Sequence, residues 1–372
     1  MRAAVIALAV VGALASLGGR ALAYPQFQMS RDQTCTGCHI SPSGGGLLNE
    51  NGQNVAEQMS TWGTNPEVLN GVLPLPKWLS VGGDFRAAGG YDQTPEKTLS
   101  AFPMQAELYG DAKLPGGFSI HVTAGVRDPQ EGNTAATILW SREHYVMWHS
   151  NPDGNDGFYV RAGRFMPIFG LRLAEHPDYT RRYGGTPLYG ETYGVAAEYI
   201  TPKWEAHVTG FIKDPLIDPV EHDNGVAALA ELRLTEHVSI GGEGMVQVSD
   251  DDKKYRGGVL AKWHIPAADL LLQGEVQFVN QEIDAGGAPN QIVGYLLASR
   301  PIGDAFLIDV GVGHYDENIR IADLDRDCVD VNIHWFMTSH IELMLTNRYE
   351  MIGWGDGGPS GGYSLLMAHY RL

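Results

Sequence analysis

The stretch Cys35-Thr36-Gly37-Cys38-His39 holds the residues best suited to chemistry. Two thiols separated by two residues can form thioethers to the two vinyl groups of one porphyrin, and the adjoining imidazole can reach the iron. The spacing predicts one covalent haem c on Cys35 and Cys38, with His39 as proximal iron ligand. A zinc site would need further Cys or His ligands nearby, and residues 24–76 hold none. A thioredoxin-like pair would need a βαβ pattern, whereas Ser41 to Gly46 is a Ser/Pro/Gly loop. For the sixth iron position the same segment offers only Met29 and Met59 as sulfur ligands. Met59 is preferred, because Asn54 to Met59 is compatible with a short helix and a Met/His pair would raise the reduction potential. Two alternatives stay open: Met59 packs on the porphyrin, or a lumen histidine or water fills the position.

These residues need a compartment and a scaffold. Met1-Arg2, an apolar run from Ala3 to Leu17 and Ala21-Leu22-Ala23 predict an export signal over residues 1–23. Export delivers the chain to the compartment where such haems are attached. Residues 24–76 then form a small, mostly helical or irregular cytochrome c segment. About fifty residues cannot bury a self-sufficient core, so haem and a neighbouring domain must supply part of it. The stiff linker Leu73-Pro74-Leu75-Pro76 should keep the segment at the periplasmic mouth of that neighbour or inside it as a plug.

From Lys77 to Leu372 the chain alternates apolar and polar residues in segments of about ten, the rhythm of an all-β transmembrane barrel. In Phe118 to Arg127 the even positions are apolar and the odd ones polar or glycine. Gln273, Glu275 and Gln277 share one face, as do Asp330, Asn332 and His334. About sixteen antiparallel strands are expected, an even number that brings both ends of the barrel to one side. Short connections fall at 114–116, 201–203, 235–236, 266–267, 301–303 and 338–339. Longer loops fall near 128–139, 171–188, 213–224, 283–291, 316–325 and 351–361. Aromatic residues near segment ends, among them Trp78, Tyr91, Trp140, Tyr199, Trp204, Trp263, Tyr315 and Tyr349, suit interfacial girdles. The final strand resembles the terminal segment read by the barrel-insertion machinery, with Leu372 where phenylalanine is usual. Downstream of the signal no apolar stretch of about 20 residues offers a membrane-spanning helix.

Charge narrows the partners. The formal charge of −18 becomes −20 once Arg2 and Arg20 leave with the signal, which excludes nucleic acid and favours cations and basic redox proteins. The loop Leu171 to Leu188 mixes Arg172, Glu175, His176, Asp178, Arg181 and Arg182, and reads either as an inward constriction or as a solvated external loop. Asp250 to Asp252 and Asp323, Asp325 and Asp327 read as solvated charge rather than a metal site. Cys328 lacks a partner cysteine and is expected as a small buried or lumen-facing side chain.

Pro25-Gln26-Phe27, the Cys35 to His39 motif, Pro42 and Leu48-Asn49-x-x-Gly52, followed by a barrel of this size, resemble the fused outer-membrane cytochrome-porins best known from iron-oxidising bacteria. The resemblance implies a bacterial outer-membrane location and a single haem that accepts electrons at the cell surface, from a metal ion such as iron, and passes them to a periplasmic carrier. Ile40 to Gly46 departs from the family's aromatic and histidine-containing run, which leaves iron as donor open. The leading expectation is therefore an electron-transfer conduit between an extracellular redox partner and a periplasmic one. The alternatives are a diffusion porin whose haem segment is a plug or redox gate, and a soluble periplasmic cytochrome with a β-rich partner-binding domain.

Overall fold

A computed structural model describes residues 29, 34–93, 98–126, 139–213, 223–353 and 360–372. The export signal, Pro25-Gln26-Phe27 and the tips of several predicted long loops lie outside the described residues.

The alternating segments become one sheet of antiparallel neighbours: β1 (Leu79–Asp92), β2 (Leu99–Lys113), β3 (Phe118–Val126), β4 (Leu139–Trp140), β5 (His144–His149), β6 (Gly157–Phe165), β7 (Thr192–Ile200), β8 (Trp204–Ile212) and β9 (Asn224–Thr235). It continues through β10 (Val238–Val248), β11 (Asp252–Ile265), β12 (Leu270–Ile283), β13 (Asn290–Ile302), β14 (Phe306–Asp316), β15 (Asp325–Phe336), β16 (Ile341–Ile352) and β17 (Ser360–Arg371). β4 and β5 both pair with β3 and share one place in the wall, so the described segments fill 16 positions. Pairing of β1 with β17, Asp84 opposite Arg371, closes the sheet into a barrel. Closure removes the unpaired strand edges that a membrane cannot solvate.

The side chains invert the usual order of a soluble protein. On β3, Ser119, His121 and Thr123 are buried in the interior while Phe118, Ile120 and Val122 are exposed outside. On β12, Gln273, Glu275 and Gln277 point inward, and on β15 Cys328, Asp330, Asn332 and His334 do. A continuous outer belt of apolar side chains exceeds the patch a soluble monomer tolerates, so its natural solvent is lipid. The girdle expectation needs two corrections. Tyr315 faces the lumen, stacked on Tyr183 with ring centroids 4.0 Å apart. Trp140 lies beneath the Arg164 guanidinium and edge-on to Tyr189. In both cases a partner from the 166–191 segment takes up the ring.

All the predicted short turns collect at one end, with the start of β1 and the end of β17. A further turn at that end, residues 150–156, is longer than the others and was not expected. Asn151 Nδ2 donates to Asp156 Oδ1 across it at 2.9 Å.

Residues 34–65 enter the barrel from the same end. The helix α1 (Glu50–Gln58) starts at Asn49, whose side-chain oxygen accepts from the Gly52 amide at 2.9 Å. Val55 of this helix and Met59, its C-cap, pack against Leu307 and Phe336 of the wall. Thr64 and Ser339 hydroxyls meet at 2.6 Å, Trp335 Nε1 donates to Thr61 Oγ1 at 2.9 Å, and Thr36 donates to the Asn155 carbonyl at 2.6 Å. Of the two expected positions for this segment, mouth or plug, the contacts are those of a plug at the short-turn end.

From the other side the connection between β6 and β7, residues 166–191, folds inward and carries the single-turn helix α2 (Tyr179–Arg182). Ile168, Leu171, Leu173 and Tyr179 form an apolar cluster with Leu229, Leu260 and Tyr295 of the wall. The amides of Gly170 and Leu171 donate to Glu243 Oε2 at 2.6 Å and Glu275 Oε2 at 2.7 Å. The inward reading of this loop therefore holds, and the solvated one does not.

Candidate functional site

Cys35 opens a 3-10 turn, Cys35–Gly37, and four elements fix its shape. The Asn49 and Asn51 side chains donate to the carbonyls of Thr36 at 2.9 Å and Gly37 at 2.8 Å, while the Asn49 amide donates to the Cys38 carbonyl at 2.9 Å. His39 and Leu48 form an antiparallel bridge. At Gly52 any Cβ would collide with the Cys38 carbonyl oxygen, so the first turn of α1 can lie against the motif only with glycine there. Gly44, Gly45 and Gly46 have φ of +79°, +73° and +57°, a run of left-handed residues that side chains disfavour. This run turns the chain back over the first cysteine, and a Cβ on Gly44 would lie 3.5 Å from Cys35 Sγ. The Leu48-Asn49-x-x-Gly52 pattern thus has a mechanical meaning: cap, clasp and close approach.

The motif faces a cavity of about 400 Å3 between the plug and the inward loop. Cys35, Cys38, His39 and Met59, four residues separated by up to 24 positions in sequence, all line it. Neither motif cysteine is in a disulfide. Burial pushes the Cys35 thiol up and lowers the His39 imidazole to a pKa of about 4, so His39 is neutral and keeps a nitrogen lone pair for a metal. Its Nδ1 is buried without a hydrogen-bond partner among the described residues. Met59, 3% exposed, both lines the cavity and packs in the apolar cluster of α1. Cys328 lies apart from the site, fully buried, with Sγ 3.7 Å from Asp330 Oδ2.

The opposite walls are polar and mutually paired. His369 Nδ1 and Nε2 lie 3.1 Å from Glu342 and 2.6 Å from Asp84; Glu342 also holds His334 at 2.8 Å, and Tyr109 donates to Asp84 at 2.7 Å. Arg142 pairs with Glu191 at 2.5 Å and with Glu107 at 3.6 Å. Arg172, at the tip of the inward loop with φ of +58°, pairs with Glu205 and lies 3.8 Å from Glu231. Arg161 pairs with Glu198 at 2.6 Å and reaches Ser41 and Ser43 of the plug at 3.4 and 3.3 Å. From sequence Arg172 stood out in a loop open to either an inward or a solvated reading, whereas His121, His369, Glu143 and Arg161 did not stand out as site residues. The signal available for all four was inward register on a strand or proximity to its end, which marks a lumen position without marking a site.

No family model matches the chain, and no curated protein matches it in sequence. The solved structures similar to it share its wall. The anion-selective porin of Comamonas acidovorans matches with a TM-score of 0.61 and 12% identity over 79% of this chain and 99% of that one. The barrel has the porin fold. OmpT of Vibrio cholerae, an outer-membrane protein, matches with a TM-score of 0.60 and 9% identity over 81% of this chain and 100% of that one. OprB of Pseudomonas putida gives 0.59 and 12% over 80% and 94%. A barrel of 16 strands with this fold belongs in the bacterial outer membrane.

Proposed function

We propose that this porin barrel is an electron conduit, in which one haem c joined to Cys35 and Cys38 and ligated by His39 links an extracellular redox partner to a periplasmic carrier. The observation that carries the reading is that both thiols and a neutral imidazole line one lumen cavity at the inner end of a plug. A haem held there would supply one-electron chemistry. The residues of the chain do the rest. Asn49, Asn51 and Gly52 hold the motif turn, Gly44 to Gly46 leave room beside Cys35, and the apolar face of α1 with Ile168, Phe169 and Leu171 excludes water. Placing the site inside the barrel shortens the insulating path across an apolar band about 25 Å tall. The test is to purify wild type and Cys35→Ala from cells competent in cytochrome maturation. Wild type should carry covalent haem, and the variant should lose it while keeping the heat-modifiable mobility of a folded barrel. A colourless wild type would overturn the reading.

The second reading, a diffusion porin with a plug or redox gate, is favoured by the likeness to porins. In planar bilayers it requires a large open-channel current that ignores the oxidation state of any haem. Plug and inward loop together occupy the lumen from both ends, which favours a small current or none.

A further inference from the structure

The cavity presents five side chains besides His39 that could donate to an iron: the thioethers of Met59, Met166 and Met367 and the imidazoles of His121 and His369. Geometry separates them. Met59 is packed against Val55, Leu307 and Phe336, Met367 against Ala88 and Met344, and the Met166 sulfur lies beside Gly190. Both nitrogens of His369 are taken by carboxylates.

His121 is different. It is 3% exposed, and its Nδ1 lies 3.8 Å from Asp111 Oδ2 and its Nε2 4.0 Å from Glu143 Oε2, each beyond hydrogen-bonding distance. Asp111 is 1% exposed, and neither of its oxygens has a hydrogen-bond partner among the described residues. An uncompensated buried carboxylate is costly, so its place beside an imidazole needs a reason. Metal-ligating histidines supply one, because the ring nitrogen not on the metal donates its proton to a carboxylate that fixes tautomer and orientation. The sidedness agrees: Glu143, on the Nε2 side, lines the cavity, whereas Asp111 does not. The ring plane is set by stacking on Tyr145, with centroids 4.9 Å apart and 17° between planes. Arg161 packs on that same tyrosine and holds Ser41, two residues from His39.

We infer that His121 of β3 would be the second protein ligand of a haem held by Cys35, Cys38 and His39, through the Nε2 on its cavity side, with Asp111, 3.8 Å from Nδ1, as the positioning carboxylate. The inference rests on the haem reading above and replaces Met59 with a wall imidazole. It has a physical consequence: two imidazoles give a lower potential than the Met/His pair read from sequence.

The test is spectroscopic, on the full-length protein in detergent. Wild type should be low-spin and lack the far-red charge-transfer band of a methionine-ligated ferric haem. His121→Ala should turn high-spin and recover the low-spin spectrum when free imidazole is added. Met59→Leu should leave the spectrum unchanged, and Asp111→Asn should stay low-spin with a raised midpoint potential. A methionine band or a high-spin haem in wild type would overturn the inference while leaving the conduit standing, and neither result depends on whether a variant folds. Absence of haem from wild type would instead overturn the conduit, and this inference with it.

Discussion

A methyl group added at Gly52 would collide with the carbonyl oxygen of Cys38, and neither backbone can yield without disturbing the Asn49 cap or the motif turn. Gly52→Ala should therefore cost about 1–3 kcal/mol locally, as overpacking does, and lower the haem-to-protein absorbance ratio while the barrel still folds. An unchanged ratio would mean that the helix is free to move away. The thiols and the first imidazole were conspicuous in the sequence through their spacing, and all three line one cavity. His121 was not, because on β3 it is one polar residue in a correct alternation, and only packing reveals that Asp111 beside it lacks a partner.

At the scale of elements, the inward loop is held by two amide-to-carboxylate bonds at its tip and by Arg348 and Tyr295 around Asp178, the latter donating at 3.0 Å. Such hydrogen bonds contribute roughly 0.5–1.5 kcal/mol each. The double variant Glu243→Ala, Glu275→Ala should loosen the tip, seen as faster proteolysis within residues 166–191 and a raised single-channel conductance. The loop should also respond to acid. Burial and the neighbouring Arg181, Arg86, Arg142 and Arg348 lower His176 to a pKa of about 4. The unfolded loop, with an ordinary value of about 6.5, takes up the proton first, so the contribution is complete above pH ~6.5 and is lost as pH falls towards 4. Proteolysis of the loop should accelerate across that window in wild type and not in His176→Gln; equal pH profiles would contradict it. Sequence left the loop's direction undecided because its dense charges look alike in water or in a polar lumen. What decides it is the set of matching acids on β8, β9, β10 and β12, which lie far away in sequence.

The whole molecule follows from a period of two. Strand count, closure and the polar interior were all legible, since alternation fixes which residues meet lipid and even numbering brings the ends together. Val208, halfway along β8 and 51% exposed, makes the outward face testable. Val208→Arg should lower the free energy of folding into phosphatidylcholine vesicles by roughly 2–4 kcal/mol, measured by urea titration, and a negligible loss would argue against a lipid-facing wall. The docking of residues 34–65 was only half legible, because the linker limits reach but the turn at 150–156 and the 335–340 region receive the segment. The seam between β1 and β17 also imposes a timetable. The first and last strands of the barrel must meet to complete it, and in the closed barrel the cysteine-bearing segment faces the inward loop across the cavity. On the conduit reading, a haem fastened before that seam closes needs no passage between plug and inward loop, so attachment ahead of closure is the expected order.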